Sequence, residues 1–137
     1  MKLYAWLTGL WAAVLWFFTF GVARALFTAF PRERAGEVTT ALFPTYFVAA
    51  IGLGGAATLV LWLQRKRDKR YWGALALQIF ALACLLAIPV FIQPAIAGHA
   101  PGTPEFGRLH GISMGLNLFS LLAVPAASLM HLWGRKE

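Results

Sequence analysis

The sequence predicts an all-α membrane protein, a four-helix transmembrane bundle with both ends in the cytoplasm. Hydrophobic residues make up 60% of the 137 positions and charged residues only 12%, which is more apolar surface than a soluble domain of this size can bury. Four apolar stretches are each long enough to cross a hydrocarbon core of about 30 Å. Basic residues gather outside these stretches, as topology signals do. The length fits a single domain over residues 1–137.

The first span is predicted over residues 3–30. A basic start followed by an apolar run also resembles a signal peptide. The apolar run over residues 3–22 is rich in aromatic side chains and exceeds the roughly 7 to 15 residues of a signal-peptide core. We therefore expect this segment to remain in the mature protein as a transmembrane helix.

The other three spans are predicted over residues 38–63, 71–92 and 104–133. The last has the clearest beginning, because Thr103, Pro104 and Glu105 suit an N-cap, the first helical position and the first turn. The loop before it, residues 93–103, is rich in Gly, Pro and Ala. The loop between the first two spans, residues 31–37, is short and has as many acidic as basic residues. In the second span, Gly52 and Ala56 form a small-residue pair that allows close helix approach.

The orientation follows from the basic residues, because short loops rich in Lys and Arg stay in the cytoplasm. One side has three: Arg32, Arg34 and Arg108. The other side has eight: Lys2, Arg65, Lys66, Arg67, Lys69, Arg70, Arg135 and Lys136. Four tryptophans fall near the same ends of the spans, as interfacial indoles do: Trp6, Trp62, Trp72 and Trp133. We expect a bacterial inner (plasma) membrane protein with both termini cytoplasmic, and no nucleic-acid partner despite the net charge of +7.

Polar side chains at bilayer depth indicate a candidate site, because an ionisable group there costs a few kcal/mol. Arg24 is about 9 Å from the outer end of the first span, and His110 is about 10 Å into the last one. Ser113 and Asn117 follow His110 on the same helix face, and Tyr46 lies at a similar depth in the second span. We expect Arg24, Tyr46, His110 and Asn117 to converge between the first, second and fourth helices.

Charged residues surround this cluster at the outer membrane surface, where they form a rim. The complete candidate polar cluster is Arg24, Arg32, Glu37, Tyr46, Arg108, His110 and Asn117. The cluster either packs the bundle through hydrogen bonds between helices or binds a small ligand or a partner. Arg24 can also extend to the lipid headgroups. The expected surroundings are the lipid bilayer, with a second copy or another membrane subunit as candidate protein partners.

We expect no cofactor and no metal, but two other classes of function stay open as alternatives. His110 could hold haem or a metal ion, although His131 is 21 residues away, about 31 Å along a helix, and cannot share that ion. A transporter of small solutes or metal ions would need an oligomer, because four helices make a narrow path. The single Cys84 lies in an apolar run and suits packing. We expect no enzyme and no catalytic residue, because a nucleophile with a base, an intramembrane carboxylate pair and a phosphate loop are all lacking.

Two sequence motifs resemble signatures of the transmembrane-protein-205-like family. The first comprises Phe30-Pro31-Arg32, Gly36 and Leu42-Phe43-Pro44-Thr45-Tyr46-Phe47, and the second Phe106, Arg108, His110-Gly111 and Asn117-Leu118. In bacteria that family is a domain of unknown function, so the resemblance implies no catalytic residues. This chain lacks the long polar insertion that some eukaryotic members carry between the last spans. The four-helix layout is also similar to copper-resistance D-like proteins and haem-containing protoporphyrinogen oxidases, which is the basis of the haem alternative.

Overall fold

Four long helices make up the computed structural model, which describes residues 2–64 and 69–133. Each helix is long and apolar enough to cross a membrane, and no strand occurs among the described residues. The helices are α1 (Lys2–Ala29), α2 (Arg32–Leu63), α3 (Lys69–Ala97) and α4 (Pro104–Trp133). The predicted all-α fold with four membrane-spanning helices is confirmed.

The helices form a closed ring in which each packs against the next along the chain, and α4 packs against α1. The rings of Tyr4 and His131 are 4.8 Å apart, so the first and last helices begin and end at the same end of the bundle. We call this the terminal end, and the opposite end, which holds Ala29, Arg32, Ala97 and Pro104, the distal end. The side of the membrane that each end faces stays a prediction. Some of the basic residues on which that prediction depends belong to residues 65–68 and 134–137, which lie outside the described residues.

Both α1 and α3 contain a π-helical segment in the distal half, Phe17–Ala23 in α1 and Ile88–Ile92 in α3. The segment in α3 includes Pro89 near its start, and proline lacks the backbone N–H that an α-helical hydrogen bond needs. The segment in α1 contains no proline, and it includes Thr19. By contrast, Pro44 lies within the continuous α-helix of α2.

Two helices extend further than the sequence predicted. Helix α2 begins at Arg32 and not at residue 38, because Pro31 has extended backbone angles suited to a helix start and its carbonyl accepts a bond of 2.9 Å from Ala35 N–H. Helix α3 continues to Ala97, five residues beyond the predicted end. Both predicted outer loops are therefore shorter than expected.

The start of α4 agrees with the prediction. The backbone N–H of Phe106 donates to Thr103 Oγ1 at 3.3 Å, which is the bond that an N-cap threonine makes. The preceding loop turns at Gly102, whose φ of 90° suits glycine.

Buried side chains are concentrated in the terminal half and the middle of the bundle. One cluster, around Tyr4 and Tyr71, lies near the terminal end, and a larger one around Trp11 and Leu121 lies above it. In contrast, none of residues 17–29 in α1 and none of residues 104–119 in α4 is buried. In the distal half, α1 and α4 are therefore less enclosed than α2, in which Ala35, Thr39 and Tyr46 are buried.

Candidate functional site

Three polar side chains in the distal half join α1, α2 and α4. The hydroxyl of Tyr46 donates to Asn117 Oδ1 at 2.7 Å, and Asn117 Nδ2 donates to Thr19 Oγ1 at 3.0 Å. We call Thr19, Tyr46 and Asn117 the polar node. One amide thus serves as acceptor for one helix and donor for another, which fixes the positions of three helices relative to each other.

Aromatic side chains surround the polar node. The ring of Phe18 stacks on that of Tyr46 with centroids 4.1 Å apart, and the Phe47 ring has its centroid 5.0 Å from that of Tyr46. One turn below, Trp16 Nε1 donates to the Leu121 carbonyl at 3.1 Å and so adds a second bond between α1 and α4. The Phe18 and Phe47 rings offer no competing hydrogen bonds, so the part-buried bonds of the polar node lie in largely apolar surroundings.

Of the four side chains expected to converge, the structure brings together Tyr46 and Asn117 and leaves Arg24 and His110 outside. Both are exposed, and within residues 2–64 and 69–133 neither side chain hydrogen-bonds to the polar node. His110 stacks on Phe106, one turn earlier, with centroids 5.9 Å apart. Arg24 and His110 lie in segments of α1 and α4 that are only partly enclosed, since residues 17–29 and 104–119 include no buried residue.

The predicted rim residues lie at the distal end and are exposed. Arg34 and Glu37 form an ion pair of 2.8 Å in the first turns of α2, with both side chains 66% exposed. A pair that exposed contributes little to stability. Arg32 and Arg108 form no ion pair with any described residue, so both leave a positive charge at the distal end.

Three glycines form an exposed face on the distal half of α4. Gly107, Gly111 and Gly115 are four residues apart and thus lie on one side of the helix. All three are exposed, and a Cβ built on any of them would meet no described atom within 4 Å. We call these residues the glycine face. The sequence analysis identified the small pair in α2 and missed this one, although the spacing of the three glycines is a known signal for close helix contact.

The terminal half contains buried polar residues that the sequence analysis also missed. Thr8 and Ser128 share a hydrogen bond of 3.2 Å between α1 and α4, and the Tyr4 hydroxyl donates to Gln78 Oε1 at 3.4 Å. Gln78 is fully buried, and its Nε2 has no partner among the described residues. A neutral amide inside an apolar span was the available signal for this contact.

Two further features of the terminal half were open to sequence reasoning. Tyr4, Thr8, Trp11 and Leu15 recur at intervals of four, three and four residues and are all buried, which is the spacing of one helix face. His131 is also buried, at 5% exposure, with its ring against that of Tyr4. It is enclosed because α1 and α3 both reach the terminal end.

The chemistry that these groups offer is hydrogen bonding. Cys84 is buried and packs in the core. Among the described residues, no group of three His, Cys, Asp or Glu side chains is placed to hold a metal ion. Haem or metal binding at His110 and transport by an oligomer stay open as alternatives.

The four spans and their internal hydrogen bonds define a small α-helical membrane protein. The chain belongs to the family described as Domain of unknown function (DUF4149), which matches over residues 6–100. This stretch includes Thr19 and Tyr46 of the polar node and ends before α4. The expectation of a bacterial domain of unknown function is thereby confirmed, whereas the relation to the transmembrane-protein-205-like family stays a prediction.

A relative that covers most of the chain is an uncharacterized protein of Aquifex aeolicus (strain VF5). It is 36% identical over 120 residues, which are 87% of this chain and 86% of that protein. No solved structure matches this chain.

Proposed function

We propose that this chain is a non-enzymatic subunit of the bacterial inner membrane that binds another membrane protein through the distal half of α4. The observation that carries the proposal is the exposure of His110 beside the glycine face, in a helix long and apolar enough to span the membrane. The polar node stabilises the bundle, and the glycine face with His110 recognises the partner.

The energetics of the bilayer support these separate roles for the polar node and the glycine face. His110 lies six residues into α4, about 9 Å from its distal end, where a polar side chain exposed to lipid is costly. A partner helix that covers His110 would replace lipid with a hydrogen-bonding group. The three glycines lower the barrier to that contact, because they let two helix backbones approach closely.

The polar node also determines which side of α4 faces away from the bundle. Asn117 hydrogen-bonds to α1 and α2, which fixes the rotation of α4 about its axis. With Asn117 turned inward, the side of α4 that carries Gly111 and Met114 is exposed, and His110, on the Asn117 side but two turns nearer the distal end, is exposed as well. The positive-inside rule adds the orientation, in which the distal end faces outward, so the partner contact lies in the outer half of the membrane.

A photo-crosslinking amino acid tests this proposal in native membranes. Met114, 58% exposed beside the glycine face, is the test position, and Val48, 74% exposed on α2, is the control. We expect a protein crosslink at Met114 and none at Val48, and mass spectrometry of the product separates a second copy from another subunit. Equal yields at the two positions, or no crosslink at Met114, would contradict the proposal.

A further inference from the structure

A shallow cleft lies on the outer surface of α1, where this helix begins at the terminal end. Its volume is about 370 Å³, and its lining residues are Lys2, Ala5, Trp6, Gly9 and Leu10. Their spacing puts them on one face of the helix, opposite the face that buries Tyr4 and Trp11 in the core. From Lys2 to Leu10 the cleft extends eight residues, about 12 Å along the helix axis. It therefore faces away from the bundle and runs from the end of the span toward its middle.

Small residues form the floor of the cleft, and large apolar side chains form its walls. Ala5 and Gly9 lie one turn apart, and a Cβ on Gly9 would meet no described atom within 4 Å. Trp6 is 71% exposed and Leu10 is 50% exposed, so both side chains stand out from the helix beside this floor. A depression of this kind suits an extended hydrocarbon chain, which gains dispersion contacts along its length.

The polar side chains of the cleft lie at its terminal end, and both are hydrogen-bond donors. Lys2 is exposed and forms no ion pair with a described residue. Trp6, one turn further along, adds an indole N–H that hydrogen-bonds to no described residue. None of the lining side chains carries an acceptor, and the acids among the described residues all belong to the distal end: Glu33, Glu37 and Glu105. An anionic group is therefore attracted to this end of the cleft and meets no described acid there.

We propose that this cleft binds one anionic phospholipid, with its phosphate beside Lys2 and Trp6 and an acyl chain along Ala5 and Gly9. The change from charged to apolar lining along the cleft matches the change from headgroup to acyl chain in a lipid. The lysine ammonium can extend to the headgroups while its methylene stem stays on apolar surface, and a base next to a span attracts negative headgroups. A protein helix would have to carry an acid at this depth, whereas every phospholipid places a phosphate there. This inference is independent of the partner contact at the distal half of α4.

Native mass spectrometry of the full chain in mild detergent tests the inference by titration with phosphatidylglycerol and phosphatidylcholine. We expect one phosphatidylglycerol to bind in preference to phosphatidylcholine, because phosphatidylcholine fills the cleft without a net negative charge. Lys2→Gln should weaken phosphatidylglycerol binding about fivefold and leave phosphatidylcholine binding nearly unchanged. Lys69→Gln is the matched control, because Lys69 is also an exposed first residue of a helix at the terminal end and does not line the cleft.

A second pair of variants tests the apolar part of the cleft. Gly9→Leu fills the floor and should weaken phosphatidylglycerol binding about tenfold, the effect of displacing about two CH₂ groups of the acyl chain. Gly52→Leu is its control, because Gly52 is exposed on α2 with open space at its Cβ. If Gly9→Leu fails to fold, Trp6→Ala removes a wall and should also weaken binding, with Trp72→Ala, 56% exposed in α3, as its control.

Three results would overturn the inference. The first is equal affinity of the unmodified protein for the two lipids. The second is equal phosphatidylglycerol binding by the two proteins of either matched pair. The third is a dimer without bound lipid that Gly9→Leu dissociates, which would assign this face of α1 to a second copy of the chain.

Discussion

Removal of the Asn117 amide should be among the most destabilising polar substitutions in the distal half. Asn117→Leu breaks the bonds of 2.7 Å to Tyr46 and 3.0 Å to Thr19 and leaves two hydroxyls without their partner. Side-chain hydrogen bonds between membrane helices contribute about 0.6 kcal/mol on average and about 1.7 at most. The two bonds together therefore predict a loss of about 1–3 kcal/mol in the free energy of unfolding.

A double-mutant cycle gives this prediction its test, with unfolding followed by circular dichroism in mild detergent during titration with a denaturing detergent. Tyr46→Phe alone should cost about 0.5–1.5 kcal/mol and should cost close to nothing in the Asn117→Leu background, because the bond is already lost. Ser113→Ala, one turn earlier at a half-buried position, is the matched control. Strict additivity of the two substitutions, or a stable Asn117→Leu protein, would refute the assigned role of the polar node.

Three further predictions concern other parts of the bundle. Gly54→Ala places a Cβ 2.6 Å from a ring carbon of buried Trp11 and should lower the free energy of unfolding by about 1–3 kcal/mol. Gly52→Ala meets open space and should leave the denaturation midpoint unchanged, so equal midpoints for the two variants would contradict the contact between Gly54 and Trp11. Gln78→Leu should change the free energy of unfolding by less than about 1 kcal/mol, because Gln78 Nε2 has no partner among described residues and the hydrogen bond from Tyr4 to Gln78 Oε1 is long. A loss above about 3 kcal/mol would contradict this account of the Gln78 contacts. His110→Ala should leave the thermal midpoint of the purified protein unchanged, because the side chain is exposed, and a shift of several degrees would show that His110 stabilises the bundle itself.

The elements set by composition and local chemistry could be predicted from the sequence. The four spans follow from apolar runs of sufficient length, and the start of α4 follows from Thr103 and Pro104, whose roles are local. The start of α2 could not be placed, because the charged residues 32–37 read as a loop although Pro31 can open a helix there. Helix ends at a membrane surface tolerate charge, so hydropathy alone misplaces them.

The candidate site was also predicted only in part from the sequence. Tyr46 and Asn117 were selected by depth and helix face, and the structure joins them. Thr19 was missed because it is uncharged and lies in an aromatic stretch of the sequence. Its position also depends on a π-helical segment that contains no proline and so could not be predicted from the sequence. His110 shares a helix face with Asn117, yet it is exposed because α4 is only partly enclosed over residues 104–119, which is a property of tertiary packing.

The binding of a partner at the distal half of α4 is tested most directly by the dependence of the Met114 crosslink on the glycine face. Gly111→Ile adds bulk to that face where a Cβ has open space, and Gly52→Ile adds the same bulk to α2 under the same condition. The account predicts that Gly111→Ile abolishes the crosslink in native membranes while Gly52→Ile leaves it intact. A crosslink of equal yield in both variants would contradict the proposal that this face of α4 binds a partner.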